Sequence, residues 1–160
     1  MKGTILSINV SSKKRVPKKP VEEAEFIAGQ GIAGDAHASP GDRQVSLLMM
    51  ESIERQRHLL EEKHRLGQGE EEQRCAVPLV PGIYAENLTT LGIELRSLRV
   101  GDRLRAGETV RLRVSKIGKE CHTRCAIYNL VGECVMPLEG IFCEVLEGGT
   151  IRKGDTIEPC

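Results

Sequence analysis

The dipeptide Gly-Asp occurs four times in this 160-residue chain, beginning at residues 34, 41, 101 and 154. Each dipeptide stands beside a run of apolar or β-branched residues. Glycine readily adopts the positive φ of a tight turn, and the aspartate side chain can hydrogen-bond to the turn backbone. Short strands joined by such turns predict a mainly β domain.

Hydrophobic patterning between the turns predicts individual strands and one long helix. Lys2 to Val10 and residues 108–117 alternate in polarity, which is typical of half-buried strands. Val45 to Met50, "VSLLMM", is an apolar run interrupted only by Ser46, and it predicts a strand that is buried on both faces. From Glu51 to about Leu66 the apolar residues fall near helical spacing, and opposite charges stand four residues apart, so we expect a helix.

The other segments are interpreted as connections. Residues 11–26 form a polar, proline-broken segment, residues 27–44 are rich in glycine, and residues 67–74 are highly charged. The pair Gly148-Gly149 predicts a hairpin turn near the end of the chain. We therefore expect a single mainly β, barrel-like domain over residues 1–160, with one long helix and short helical segments.

Charge and composition argue against several functional classes. Lysine plus arginine and aspartate plus glutamate both total 23, so no global positive field attracts nucleic acid. The chain has no Trp and only two Tyr and two Phe, which leaves few aromatic rings on which bases could stack. No segment is apolar and long enough to span a membrane, and residues 1–10 lack the apolar centre of a secretion signal. We expect a cytoplasmic protein with reduced cysteines that binds neither nucleic acid nor membrane.

Two sequence motifs resemble known types of ligand site. Gly29 to Gly34 matches the glycine spacing of dinucleotide-binding loops, but the following "DAHASPGD" cannot begin the helix that would hold a pyrophosphate. A turn is therefore the favoured interpretation. Lys13 to Lys19, "KKRVPKK", is interpreted as a solvated loop or as an anion site for a phosphorylated ligand.

The cysteines of the stretch "GKECHTRC" carry the strongest chemical signal. Cys121 and Cys125 are four residues apart, which places both side chains on one side of a helix or a strand. Three basic side chains surround them: Lys119, His122 and Arg124. Positive charge favours the thiolate, which is the form that attacks electrophiles and binds metals. A reactive or soft-metal-binding thiol is the favoured interpretation.

Other roles for the cysteines remain open. Cys121 and Cys125 could hold a structural or regulatory zinc ion with His122 or Cys134, although a second pair of ligands at knuckle spacing is missing. Cys143 lies in the apolar segment "GIFCEVL" and is expected to pack in the core. The remaining two, Cys75 and Cys160, are interpreted as having no functional role.

Six segments occur in the order that MOSC domains use: "GIAGDAH", "RQVSLL", "AENLTTLGIEL", "VGDRL", "GKECHTRC" and "GTIRKGD". Over nearly its whole length the sequence therefore resembles the MOSC domain family. These domains form the C-terminal part of molybdenum-cofactor sulfurases and also occur as small free-standing bacterial proteins. The resemblance implies a strand-rich, barrel-like fold and a role in molybdenum-cofactor metabolism.

The resemblance also implies a key cysteine that carries sulfur for the molybdenum cofactor or ligates its metal. That residue maps onto Cys125 in "RCAI", with Cys121 as the second candidate. A thiolate suits both tasks, because it can hold a persulfide and is a soft metal donor.

A cofactor pocket follows from the same resemblance. Gly31, Gly34 and Asp35 are expected to shape its backbone, and Asn87 to hydrogen-bond the pterin. The candidates for the phosphate and for further cofactor contacts are Arg43, His37, Lys19 and Arg124, of which arginine best matches phosphate geometry.

The chain contains no pyridoxal-phosphate domain, so we do not expect it to be a complete cysteine desulfurase. It is expected to receive sulfur from a separate desulfurase as a sulfur carrier or sulfurtransferase, or to bind the cofactor. The acceptor would be a molybdoenzyme or a cofactor-synthesis protein.

Overall fold

The structure is a computed structural model that describes residues 1–65, 78–118 and 135–160. The predicted charged loop at residues 67–74 lies outside the described residues. So do the predicted cysteine site and its surroundings, namely Lys119, Cys121, His122, Arg124, Cys125 and Cys134, together with Cys75.

Eleven strands and three helical segments make up the described part of the chain. In chain order they are β1 (Gly3–Val10), β2 (Lys19–Val21), β3 (Glu23–Ile27), β4 (Gly31–Ile32), β5 (Val45–Met49), α1 (Met50–Arg65), β6 (Leu88–Leu91), a 3-10 turn (Leu95–Ser97), β7 (Arg103–Ala106), β8 (Val110–Ile117), α2 (Met136–Glu139), β9 (Ile141–Glu147), β10 (Gly149–Arg152) and β11 (Thr156–Pro159).

Seven strands close into a barrel, as the sequence predicts. Their order around the ring is β1-β6-β5-β9-β8-β7-β11, and β11 returns to β1 through the pair Gly3 and Ile157. All neighbours in the ring are antiparallel except β5 and β6, which are parallel and are connected through α1. A parallel pair needs a crossover of this kind, because a tight turn can join only antiparallel strands.

Two connections differ from the prediction. Residues 11–26, interpreted as an irregular connection, contain β2 and most of β3, because β1 and β10 offer them pairing partners. Gly148-Gly149 is not a hairpin turn: β10 pairs with β3 rather than with β9. A side chain at Gly148 would overlap the Phe26 carbonyl oxygen, so glycine permits close approach of β3 instead.

Alternating side chains of the strands fill the barrel. In β8 the inward residues Val110, Leu112 and Val114 are buried, while the arginines between them are partly exposed. All five residues of β5 are buried, as its continuous apolar run predicts. Cys143 is fully buried in this core, and burial raises the pKa of its thiol above the usual range, which keeps it protonated and unreactive.

The predicted helix is confirmed as α1, which begins directly after β5. Its residues Ile53 and Leu60 belong to a second apolar core with Leu48, Met136 and Phe142. This core covers one side of the barrel and joins α1 to α2. Neither α1 nor α2 has the length and apolar character needed to cross a membrane.

Candidate functional site

A group of buried polar side chains lies where β1 ends and β6 begins, and we call it the polar cluster. Its members are Ser7, Asn9, Lys18, Asp35, Ser46, Glu86, Asn87 and Thr89. Buried polar groups are costly unless they are hydrogen-bonded, so the partners of each define what the site can do.

The carboxylate of Asp35 joins three separate groups. Its Oδ1 accepts hydrogen bonds from the Lys18 ammonium at 2.8 Å and from the Ser11 backbone N–H at 3.1 Å. Its Oδ2 accepts one from the His37 backbone N–H at 3.1 Å. The side chains of Asp35 and Lys18 are both fully buried. Asp35 therefore closes the base of the loop over residues 11–18 and fixes the Lys18 side chain.

The protonation state of Asp35 follows from these contacts. Burial raises its pKa, but its contacts with His37 and Lys18, together with the Lys18 charge, more than offset that effect. Its pKa therefore lies well below the usual range, and the group is a carboxylate at neutral pH.

His37 is oriented by Lys18. The Lys18 Nζ lies 3.0 Å from His37 Nδ1, and 23% of the His37 side chain is exposed. An ammonium group can only donate, so Nδ1 must accept and the ring proton lies on Nε2. His37 thus offers an N–H donor on the side of its ring that faces away from Lys18.

The two predicted glycines shape the loop that carries Asp35. Gly31 has φ +125° and Gly34 has φ +81°. A Cβ at Gly31 would lie 2.6 Å from the Gln44 carbonyl oxygen, whereas a Cβ at Gly34 would meet open space. Both require the conformational freedom of glycine, and Gly31 also requires its small size. Their contact with a ligand stays a prediction.

Asn87 is part of the framework beneath this loop. Its side chain is fully buried; Oδ1 accepts from the Ser46 backbone N–H at 3.0 Å, and Nδ2 donates to the Asn9 carbonyl at 3.1 Å. Both ends of the amide are therefore used within the protein, and Asn87 joins β5 to β1. The expected hydrogen bond from this amide to a pterin stays a prediction.

The predicted cations do not all converge. Lys19 is exposed on β2, where its backbone pairs with Val10, and the neighbouring Lys18 is the lysine that reaches Asp35 and His37. Arg43 is exposed, and its guanidinium lies 5.7 Å from the centre of the Phe142 ring. Among the described residues, no hydrogen bond or ion pair joins Arg43 to His37.

Sequence reasoning missed Lys18 and Glu86. Lys18 lies in a basic segment beside Lys19, and the sequence does not indicate which of the two lysines is buried. Glu86 is the one carboxylate in the mainly apolar stretch "GIYAENL", and this pattern indicates a buried acidic residue. Burial raises the pKa of Glu86 to about 7, although it accepts hydrogen bonds from Gly82 and Thr89.

Two further features bear on ligand binding. The described residues contain no group of three or more His, Cys, Asp or Glu side chains that could hold a metal ion. A cleft of about 240 Å³ lies between α1 and α2, lined by Ser52, Arg55, Gln56, Leu59, Val135, Leu138 and Glu139.

Comparison with protein families finds a match to one model, described as the MOSC domain, over residues 33–158. The matched range contains Asp35, His37, Glu86 and the stretch "GKECHTRC" at residues 118–125. No curated protein shows significant sequence similarity to the chain.

Solved structures share the fold at low sequence identity. YuaD from Bacillus subtilis aligns with a TM-score of 0.70 and 20% identity, covering 98% of this chain and 94% of that one. YiiM from Geobacillus stearothermophilus aligns with a TM-score of 0.65 and 22% identity, covering 99% and 75%. YiiM from Escherichia coli aligns with a TM-score of 0.67 and 17% identity, covering 99% and 69%. These similarities establish a common barrel architecture.

Proposed function

The chain belongs to the MOSC domain family, and we propose that it serves molybdenum-cofactor metabolism by binding the cofactor, by carrying sulfur for it, or by both. Cys125 is the proposed sulfur carrier or molybdenum ligand. The observation that carries the proposal is the pair Cys121 and Cys125, set among basic residues within a family match that spans most of the chain.

Sulfur loading is a thiol exchange reaction. The Cys125 thiolate attacks the outer sulfur of a persulfide on a separate desulfurase, so that a new S–S bond forms on Cys125. The S–S bond of the donor breaks, and the donor leaves as a thiolate. The basic neighbours of Cys125 favour the thiolate that this step requires.

Release of that sulfur as sulfide requires two electrons. A second thiol supplies them when it attacks the inner sulfur, because a disulfide then forms and hydrosulfide leaves. Cys121 is proposed for this role, since its four-residue offset places it on the same side as Cys125 in a regular element.

Two described side chains support the proposal that the chain binds the anionic end of a cofactor. The Nε2–H of His37, which is held in place by the buried Lys18 ammonium, and the exposed Arg43 guanidinium are donors suited to a phosphate. Lys19 and Arg124 remain proposed contacts, whereas Asp35, Gly31 and Gly34 would act through the loop backbone. When bound, the cofactor supplies the molybdenum centre and its redox chemistry.

Intact-mass and peptide mass spectrometry test the sulfur-carrier proposal. After incubation with a cysteine desulfurase and cysteine, we expect one added sulfur on Cys125 in the Cys121→Ser variant, which lacks the second thiol, and none in Cys125→Ser. The wild type should release this sulfur as sulfide without an added thiol, whereas Cys121→Ser should release it only when an external thiol is added. Cys160→Ser is the matched control, because Cys160 is an exposed free thiol far along the chain.

Two outcomes would contradict this account. Absence of added sulfur on Cys121→Ser, together with absence of sulfide release from the wild type, would exclude the carrier role. One equivalent of zinc, retained through purification and lost in the Cys121→Ser and Cys125→Ser variants, would support a zinc-binding module instead.

A further inference from the structure

Glu86 is a fully buried carboxylate that the function proposed above does not use. It accepts hydrogen bonds from the Gly82 backbone N–H, from the Tyr84 backbone N–H at 3.1 Å and from the Thr89 hydroxyl at 3.1 Å. Three donors therefore point at its two oxygens. Such an arrangement holds the donors in place, because each loses a strong acceptor when the carboxylate is altered.

Two of these donors belong to a tight turn just before β6. Gly82 has φ +91°, and Ala85 has φ +62°, which is uncommon for a residue with a side chain. The Ala85 N–H bonds to the Gly82 carbonyl at 3.0 Å. A strained backbone of this kind persists only where surrounding contacts fix it. The bonds from Gly82 and Tyr84 to Glu86 are contacts that fix this turn.

The same turn holds the backbone of Lys18. The Lys18 N–H donates to the Gly82 carbonyl at 2.8 Å. Gly82 also lies so close to the Lys18 carbonyl oxygen that a Cβ at this position would overlap it. Lys18 is thus held through its N–H and packs closely against Gly82 at its carbonyl, and its side chain extends from there to Asp35 and His37.

We propose that Glu86 is a positioning residue for Lys18. Its carboxylate fixes the Gly82 turn, the turn fixes the backbone of Lys18, and the Lys18 ammonium is thereby set between Asp35 and His37. Any effect on cofactor binding rests on the function proposed above, whereas the positioning of Lys18 and His37 does not.

Amide hydrogen exchange in a Glu86→Gln variant tests the proposal at pH 8, where Glu86 is ionised in the wild type. Glutamine offers one acceptor oxygen and an NH2 group, so at least one turn N–H loses its acceptor. We expect the Lys18 amide to exchange at least about tenfold faster than in the wild type. The Val114 amide, which bonds to Asp102 in the barrel wall, should change far less.

A second readout follows the imidazole of His37. Its Nδ1 resonance in nitrogen-15 spectra should shift in Glu86→Gln in the same direction as in Lys18→Met, which removes the ammonium outright. Glu108→Gln is the matched control, because Glu108 is exposed on the barrel surface. The control should leave both the Lys18 amide and the His37 ring unchanged.

Equal acceleration of exchange at Lys18 and Val114 in Glu86→Gln would show general destabilisation and would overturn the proposal. If that variant does not fold, Glu86→Asp keeps the charge but draws the carboxylate back from the Gly82 and Tyr84 N–H groups, and unchanged Lys18 exchange in it would equally contradict the proposal. The experiment uses protein without cofactor or sulfur. The hydrogen-exchange and nitrogen-15 results therefore test the positioning of Lys18 even if the proposed role in cofactor metabolism is wrong.

Discussion

At the scale of single residues, burial rather than residue type decides which polar groups matter. Lys18 and Lys19 are adjacent and chemically identical, yet Lys18 is buried against Asp35 and Lys19 is exposed on an edge strand. Asn87 likewise has the chemistry of a ligand contact, but both ends of its amide bond to the protein. These assignments depend on contacts between distant strands, which one sequence does not reveal.

The raised pKa of Glu86 predicts a specific dependence of stability on pH. Its pKa is about 7 in the folded protein against an ordinary value of 4.5, so the native state binds more protons between these values. The free energy of unfolding should therefore fall as the pH rises through this window, by about 3 kcal/mol. Urea unfolding of the wild type and of Glu86→Gln checks this, because the variant should lack the decline.

If the free energies of unfolding of the two proteins change in parallel between pH 4.5 and 7, the assignment of Glu86 as a buried group that titrates in this range is contradicted.

Asp35 predicts the opposite dependence of stability on pH, at lower pH. Its folded pKa is depressed, so its contribution to stability is present above its ordinary pKa of 3.8 and is lost as the pH falls below that value.

At the scale of elements, strands and helices with a clear hydrophobic period could be predicted from the sequence, whereas the pairing between strands could not. The alternation in β8, the apolar run of β5 and the helical spacing of α1 each fix which face is buried. Gly148-Gly149 failed as a hairpin signal, because glycine serves both tight turns and close strand contacts. Only the three-dimensional position of β3 distinguishes these two uses.

The alternation in β8 predicts unequal costs for neighbouring substitutions. Leu112 is fully buried in the barrel, so Leu112→Ala should lower the free energy of unfolding by about 2 to 5 kcal/mol. Arg113 faces outward and pairs with the part-exposed Glu144, so Arg113→Ala should cost about 1 kcal/mol or less. Chemical denaturation measures both, and similar losses would contradict the assignment of faces.

At the scale of the whole molecule, a closed barrel brings sequence-distant residues to one place. β1 contacts β2, β6 and β11, so it gathers segments from both ends of the chain around the polar cluster. The family resemblance predicted the barrel, and its expectation that "GIAGDAH" and "AENL" line a cofactor pocket stays a prediction. It did not predict that Asp35 and Glu86 bind the protein itself and organise Lys18 and His37.

The central claim is that this MOSC domain protein handles the molybdenum cofactor through Cys125, and metal and pterin content test it most directly. The protein should be purified after co-expression with a cofactor-synthesis pathway, as wild type, Cys125→Ser and Cys160→Ser. We predict that the wild type and Cys160→Ser retain molybdenum and pterin together, and that Cys125→Ser retains at least about tenfold less molybdenum. A wild type without pterin would contradict cofactor binding, and a Cys125→Ser variant with wild-type molybdenum content would contradict the assignment of Cys125 as the metal ligand.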